Sequence, residues 1–193
     1  MDLTQGTTIE KRNRAKKTMM WFAMVSMTMT FAGLTSAYVV SKSRDDWSID
    51  MTFPNAFIYS LFVILLSSAT IFLVKKAIEN SNRSLATVLL LATFALGILF
   101  VILQFQGFED MIGQGYHFTG PTSNIVSTFM FIIVVAHIAH IIGGLIVLLV
   151  VIYNHFKQKY RRGQTLGLEL GGMYWHFVDV LWVYLFLFLY FVR

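Results

Sequence analysis

Three observations predict an all-α integral membrane bundle of five transmembrane helices. Hydrophobic residues make up 56% of the 193 and charged residues only 13%, against roughly 25% charged in an ordinary soluble domain. The apolar residues gather in five unbroken stretches, and lysine and arginine gather between alternate stretches. A spanning helix needs roughly 20 apolar residues, because about 30 Å of hydrocarbon is crossed at about 1.5 Å per residue. Unbroken runs of this length read as helices, since a barrel strand would alternate over only about 9–11 residues.

Residues 1–18 form a polar, basic tail, and the first span follows at about 19–40. Its apolar run is too long for a signal peptide, and Lys42-Ser43-Arg44 stands where a small-residue cleavage site would be. Met19, Met20, Met24, Met27 and Met29 on this span read as flexible apolar filler in preference to thioether copper ligands. Ser26, Thr30, Gly33 and Ala37 recur at helical spacing and predict a packing face. Trp47, just beyond the span, reads as an aromatic-belt anchor. Pro54 introduces the second span, about 56–74. The third lies at about 85–106, and the segment from Gln106 to Pro121, with Gly107, Gly113, Gly115 and Gly120, reads as a loop. Pro121-Thr122-Ser123-Asn124 offers a turn and capping side chains for the fourth span, about 124–153. That span exceeds a perpendicular crossing, so it is tilted or its last turns emerge. The fifth covers about 170–192. With no internal repeat, residues 19–193 read as one transmembrane domain.

Twelve of the 15 basic residues lie before the first span, between the second and third, or between the fourth and fifth. Only Lys42, Arg44 and Arg193 lie on the other side. The positive-inside rule therefore predicts a cytoplasmic amino terminus and an external carboxyl terminus. The net charge of +5 is accordingly a topology signal, and no nucleic-acid partner is expected. The absence of cysteine rules out disulfides, a thiolate nucleophile, an iron–sulfur cluster and Cys-ligated zinc. No phosphate-binding loop, nucleophile elbow, HExxH helix or dinucleotide fingerprint occurs. No catalytic, cofactor-binding or metal-binding residue is assigned.

Ionisable groups inside spans carry the information, because a charge at the bilayer centre costs about 2.5–3.5 kcal/mol on insertion scales. His137, His140 and Gly144 share one face of span four; Glu169, Gly172, His176, Asp179 and Val183 share one stripe of span five. Facing stripes would let imidazoles and carboxylates satisfy one another, with Gly143, Gly144, Gly171 and Gly172 permitting close approach. Three sharper readings stand beside this packing role: a metal site, a b-type haem between His176 and His137 or His140, and a chain of proton-exchanging groups. For the last, Glu169 at the basic threshold is the best placed group.

The chain resembles subunit III of the haem–copper terminal oxidases. The stretch Tyr174-Trp175-His176-Phe177-Val178-Asp179-Val180-Leu181-Trp182, with Glu169 seven residues before His176, is similar to that subunit's last helix. His137, His140 and Gly144 resemble its His-x-x-His-x-x-x-Gly, Gln106 and Glu109 its Gln-x-x-Glu, and Phe31-Ala32-Gly33-Leu34 its Phe-Ala-Gly-Leu. The resemblance implies a five-helix form lacking two amino-terminal helices, with no haem or copper of its own. It implies attachment to subunit I, which with subunit II would carry those centres, and a part in assembly, stability and proton uptake. It further implies bound phospholipid; Glu169, with Arg161 and Arg162 nearby, is expected at the cytoplasmic surface, where lipid phosphates or incoming protons would meet them. A bacterial cytoplasmic membrane location is implied, and cytochrome c or quinol is the electron donor. Association with a quinol:cytochrome c reductase is left open. One position departs from the pattern: Met27 follows Ser26 where the family has Ser-Glu. A role resting on that carboxylate does not carry over, although helix packing does.

Overall fold

The computed structural model describes residues 7–44, 47, 52–120, 123–160 and 165–192. Five helices are long and apolar enough to cross a membrane. They are α1 (Thr8–Val40), α2 (Asn55–Glu79), α3 (Arg83–Gly113), α4 (Ile125–Phe156) and α5 (Leu166–Phe191), with no strand among the described residues.

The ends follow local chemistry. Helix α1 begins at Thr8, well inside the basic tail, because Thr7 and Glu10 close a capping box there: the Thr7 N–H donates to Glu10 Oε2 at 2.8 Å, and the Glu10 N–H donates to Thr7 Oγ1 at 3.3 Å. Its 33 residues are about 50 Å long, so α1 projects beyond the bilayer. Asn124 caps α4 in a second box with Ser127. Pro121 and Thr122 lie outside the described residues.

Helix α3 corrects the loop expected from Gln106 onward, since it continues to Gly113. Gly107 is not punctuation: it sits within the helix under the Phe57 ring, where an added Cβ would collide. The chain turns only at Gly115, whose φ of +87° is a left-handed conformation that glycine adopts without penalty.

Successive helices run antiparallel. Lys17, Lys75 and Glu169 meet at one end, here termed the basic end, where the Arg83 guanidinium also donates to the Tyr160 carbonyl at 3.3 Å. At the opposite end Tyr38 packs edge-on against Trp47, Phe129 and Phe188. There Gln114 Oε1 accepts from the Thr52 N–H at 2.9 Å. Helices α2 to α5 form the body of the bundle, and α1 leans on α4 and α5.

Phe31, Phe57, Phe100, Trp175 and Trp182 fill the interior. Large apolar residues such as Phe22, Phe62, Phe72, Ile146 and Val180 face outward, as lipid contact permits. The small-residue face expected to pack on α1 points outward instead: Ser26, Thr30, Gly33 and Ala37 are all exposed, and nothing lies near Gly33. The packed face is Met24, Phe31, Thr35 and Tyr38. Helix α1 is docked by this face and by the Thr35 hydroxyl, 3.1 Å from that of Tyr184 on α5.

Candidate functional site

Glu169 enters the bundle on the first turn of α5. Its carboxylate accepts from Lys17 Nζ of α1 at 2.9 Å and from Thr165 Oγ1 at 3.1 Å, and Lys75 Nζ of α2 stands 4.0 Å away. Three elements that begin or end at the basic face are thereby tied together. A cleft of about 420 Å³ opens beside this carboxylate, with Glu10, Arg14, Lys17 and Thr165 on its walls. A second groove, about 290 Å³, runs from Lys75 and Glu169 between α2 and α5 to His176.

About two and three helical turns deeper, at His176 and Asp179, the α5 polar stripe meets hydroxyls of α2. His176 Nδ1 and Ser68 Oγ are 2.7 Å apart, and the same hydroxyl lies beside the buried Asp179 carboxyl. The Trp175 indole N–H donates to Ser67 Oγ at 3.0 Å, both groups buried. The neighbouring Thr70 and Thr93 hydroxyls, 2.8 Å apart, join α2 to α3. Ser68, His176 and Asp179 do not make a nucleophilic triad. The acid lies beside the serine, so it does not orient the imidazole from its far nitrogen.

The histidines of α4 behave differently from expectation. The spacing suggested that α4 imidazoles and α5 carboxylates satisfy one another, yet no such pair forms among the described residues. His137 is fully buried and stacks on Trp182, with ring centroids 5.0 Å apart and planes at 26°. Phe100 and Phe31 close on it edge-first at 5.8 and 6.3 Å. His140 turns its Nδ1 to the Ala136 carbonyl of its own helix at 2.7 Å, while its backbone carbonyl accepts from the Tyr174 hydroxyl at 3.0 Å. The reason is steric: the Trp175 and Trp182 rings occupy the α4–α5 seam, and the α2 serines are small enough to be reached instead. Gly144 does admit close packing, since an added Cβ would stand 3.0 Å from the Trp175 ring.

Of the other sequence-predicted residues, Gln106 and Glu109 are exposed on the last turns of α3, and Phe177 is half-buried on α5. Arg161 and Arg162 lie outside the described residues. Among the described residues, no three His, Asp or Glu side chains converge as metal ligands would. Sequence reasoning missed Ser67, Ser68 and Gln104, although polar side chains inside apolar runs were a usable signal. It also missed Lys17 and Lys75 as partners of Glu169, which no spacing rule could supply. Gln104 is fully buried, and its amide, both His137 ring nitrogens, the Trp182 N–H and both Asp179 carboxyl oxygens lack a hydrogen-bond partner.

The arrangement holds titratable side chains, Glu169, His176 and Asp179, at successive depths from the basic end inward, with helix-joining contacts around them. Comparison with known proteins agrees with the motifs. Residues 6–193 match the family described as Cytochrome c oxidase subunit III. Subunit 3 of the cytochrome bo(3) ubiquinol oxidase of Buchnera aphidicola subsp. Baizongia pistaciae is 32% identical over 88% of this chain and 88% of its own length. A probable cytochrome c oxidase subunit 3 of Mycobacterium tuberculosis is 27% identical over 98% of this chain and 97% of its own. The cytochrome c oxidase subunit 3 of Spodoptera frugiperda is 35% identical over 66% of this chain and 84% of its own. The chain belongs to the cytochrome c oxidase subunit III family.

Proposed function

We propose that this multi-pass membrane protein is the non-redox third subunit of a proton-pumping haem–copper terminal oxidase. In this reading it binds subunit I directly, beside subunit II, and supports the assembly, stability and proton uptake of the complex. The basic end faces the cytoplasm of a bacterial cell in this reading, which the lysine and arginine distribution supports. Phospholipid headgroups meet Lys17, Lys75 and the Arg161-Arg162 pair there, because anionic lipid attracts clustered basic residues. Haem and copper reside in the partner subunits.

The observation that carries this reading is the occupation of the α4–α5 seam by tightly stacked rings. His137 lies against Trp182 with Phe100 and Phe31 around it, so its ring is enclosed by the chain's own aromatic side chains. His137 is thereby engaged in packing with its neighbours, as an accessory role would have it. A small secondary transporter fits poorly, for want of repeats and broken spans.

Two electron donors are represented among the relatives, cytochrome c and ubiquinol. Cytochrome c oxidase is the first reading; the ubiquinol oxidase relative at 32% identity favours a quinol oxidase as the second. The donor site would lie in subunit II in either case.

Gentle detergent extraction of the tagged chain from its own membranes, followed by identification of co-purifying chains, tests the assignment. A haem-bearing subunit I and a subunit II are expected, with oxygen consumption supported by reduced cytochrome c or by quinol according to the donor. A purified chain that shows a Soret band by itself, or that brings down no large haem protein, overturns it. Recovery of a quinol:cytochrome c reductase in the same fraction would extend the assembly to a supercomplex.

A further inference from the structure

The groove between α2 and α5 is walled mostly by apolar side chains, with charged groups at the basic end and an imidazole deeper along α5. Lys75 and Glu169 flank the mouth, Gly172 and Met173 form part of the wall, and His176 stands furthest in. From Glu169 to His176 is seven residues, about 10 Å along α5. The volume of about 290 Å³ holds several waters, each of which occupies about 30 Å³ in the liquid. His176 closes the groove with one ring nitrogen committed to Ser68 at 2.7 Å, which leaves Nε2 on the opposite edge of the ring. Ser68 in turn neighbours Asp179, which is only 1% exposed and whose two carboxyl oxygens hold no hydrogen bond, so the acid is an unpartnered acceptor that the hydroxyl reaches by turning toward it. Of the titratable groups nearby, Lys17 from α1 bears on Glu169, and His137 of α4 is stacked on Trp182 one turn beyond Asp179.

We infer that this groove is a hydrated inlet through which protons from the basic end reach the Asp179 carboxyl by way of His176 and Ser68. A hydronium ion in the groove loses a proton to His176 Nε2 and becomes water. The imidazole passes its Nδ1 proton to Ser68 Oγ while the Ser68 hydroxyl proton moves to the Asp179 carboxylate. One positive charge enters and one negative charge is neutralised; the imidazole is left as its Nε2–H tautomer, and the reverse sequence restores it. Asp179 is thus a buried acid in exchange with bulk solvent, filled from the mouth that Glu169 and Lys75 guard. The inference gives a route to the proton-uptake role proposed above and rests on that reading.

Because the chain has no cysteine, a single introduced thiol reports unambiguously. Methanethiosulfonates react with thiolate, which forms only where water reaches. Met173→Cys places a thiol in the groove wall, seven residues from the start of α5; Leu149→Cys places one on the outer face of α4, seven residues from its end. With a membrane-impermeant reagent on the basic side of native membranes, Met173→Cys is expected to react at least about tenfold faster than its depth-matched control. Equal rates, or no reaction at Met173→Cys, would mean the groove is dry, lipid-filled or covered, and would overturn the inlet. Infrared difference spectra after a pH jump, with Asp179→Asn subtracted, follow the carboxyl itself. Its band is expected to respond to the jump, to respond several-fold more slowly in Ser68→Ala, and to recover in Ser68→Thr. A silent band, or an unaltered rate in Ser68→Ala, overturns the relay. Co-purification of oxidase subunits is scored separately, so failure of the inlet and failure of the oxidase assignment are told apart.

Discussion

The indole N–H of Trp175 on α5 donates to the hydroxyl of Ser67 on α2, 3.0 Å away and shielded from solvent. The same indole fills the space above Gly97 of α3 and Gly144 of α4. One side chain therefore joins four helices, by a hydrogen bond to one and by van der Waals contact with two others. In lipid, where apolar burial contributes little between helices, such contacts carry association.

Ser67→Ala leaves the Trp175 N–H buried and unpaired. The expected cost is about 1–3 kcal/mol, the desolvation penalty of an orphaned donor. Thermal unfolding of the detergent-solubilised protein should show it, with Ser67→Thr closer to wild type than Ser67→Ala. An alanine variant as stable as wild type would show that the bond contributes nothing.

Gly97→Val should be more damaging than Gly33→Val. A Cβ at Gly97 meets Leu145 Cδ2 and Trp175 Cη2 at 2.8 Å, whereas nothing lies near Gly33. Overpacking of this kind costs about 1–3 kcal/mol. The comparison is read from melting temperatures of the two variants side by side, and similar losses would contradict the packing described here.

The Lys17–Glu169 pair is an exposed anchor, with the two side chains 45% and 28% accessible. Its coupling energy in a double-mutant cycle is expected at about 0.2–1 kcal/mol and should fall with added salt. Its consequence is local: Lys17→Ala should raise hydrogen exchange at the start of α1 and leave α3 unchanged. Faster exchange throughout the bundle would contradict this assignment.

Alkaline pH should loosen the α4–α5 connection. Burial pushes the Tyr160 phenol above its ordinary value of 10.0, with the Asn154 side chain opposing in part. In the unfolded chain the phenol ionises at the ordinary value, so its contribution to stability is complete below about pH 10 and is lost as pH rises through the folded-state value. Melting curves recorded above and below pH 10 should diverge, and Tyr160→Phe should remove part of the divergence. A pH dependence unchanged in that variant would assign it to other groups.

Asp179→Leu is expected to lower the occupancy of this subunit in purified oxidase. Asp179 is buried within the chain, so the effect would travel through Ser68 and His176 at the α2–α5 seam. Asp179→Asn keeps a polar group beside Ser68 and should retain more subunit. Wild-type occupancy of the leucine variant, measured by quantitative gel or mass spectrometry, refutes the proposal.

Much of this was legible beforehand, for reasons that differ from residue to residue. The five spans and the Asn124 cap were visible because hydrophobic length and N-cap chemistry are local properties of sequence. Gly107 misled because glycine marks a turn and a close contact with the same letter; the Phe57 ring that explains it lies 50 positions away. The small-residue stripe on α1 was a correct observation about one face of a helix, but nothing local says whether that face meets protein or lipid. His137 and Asp179 were recognised as interior groups, whereas Ser67 and Ser68 went unweighed because a serine costs little in a membrane helix.

The number of crossings, their order and the identity of the side chains that had to be hidden from lipid follow from the amino-acid sequence alone. Each is a transfer energy summed over neighbouring residues. Which hydroxyl meets which imidazole, and which glycine admits which ring, was decided only when helices distant in the chain came together. Ser67 and Ser68 lie 108 residues from Trp175 and His176, respectively, and their pairing depends on which neighbouring rings have already taken the space.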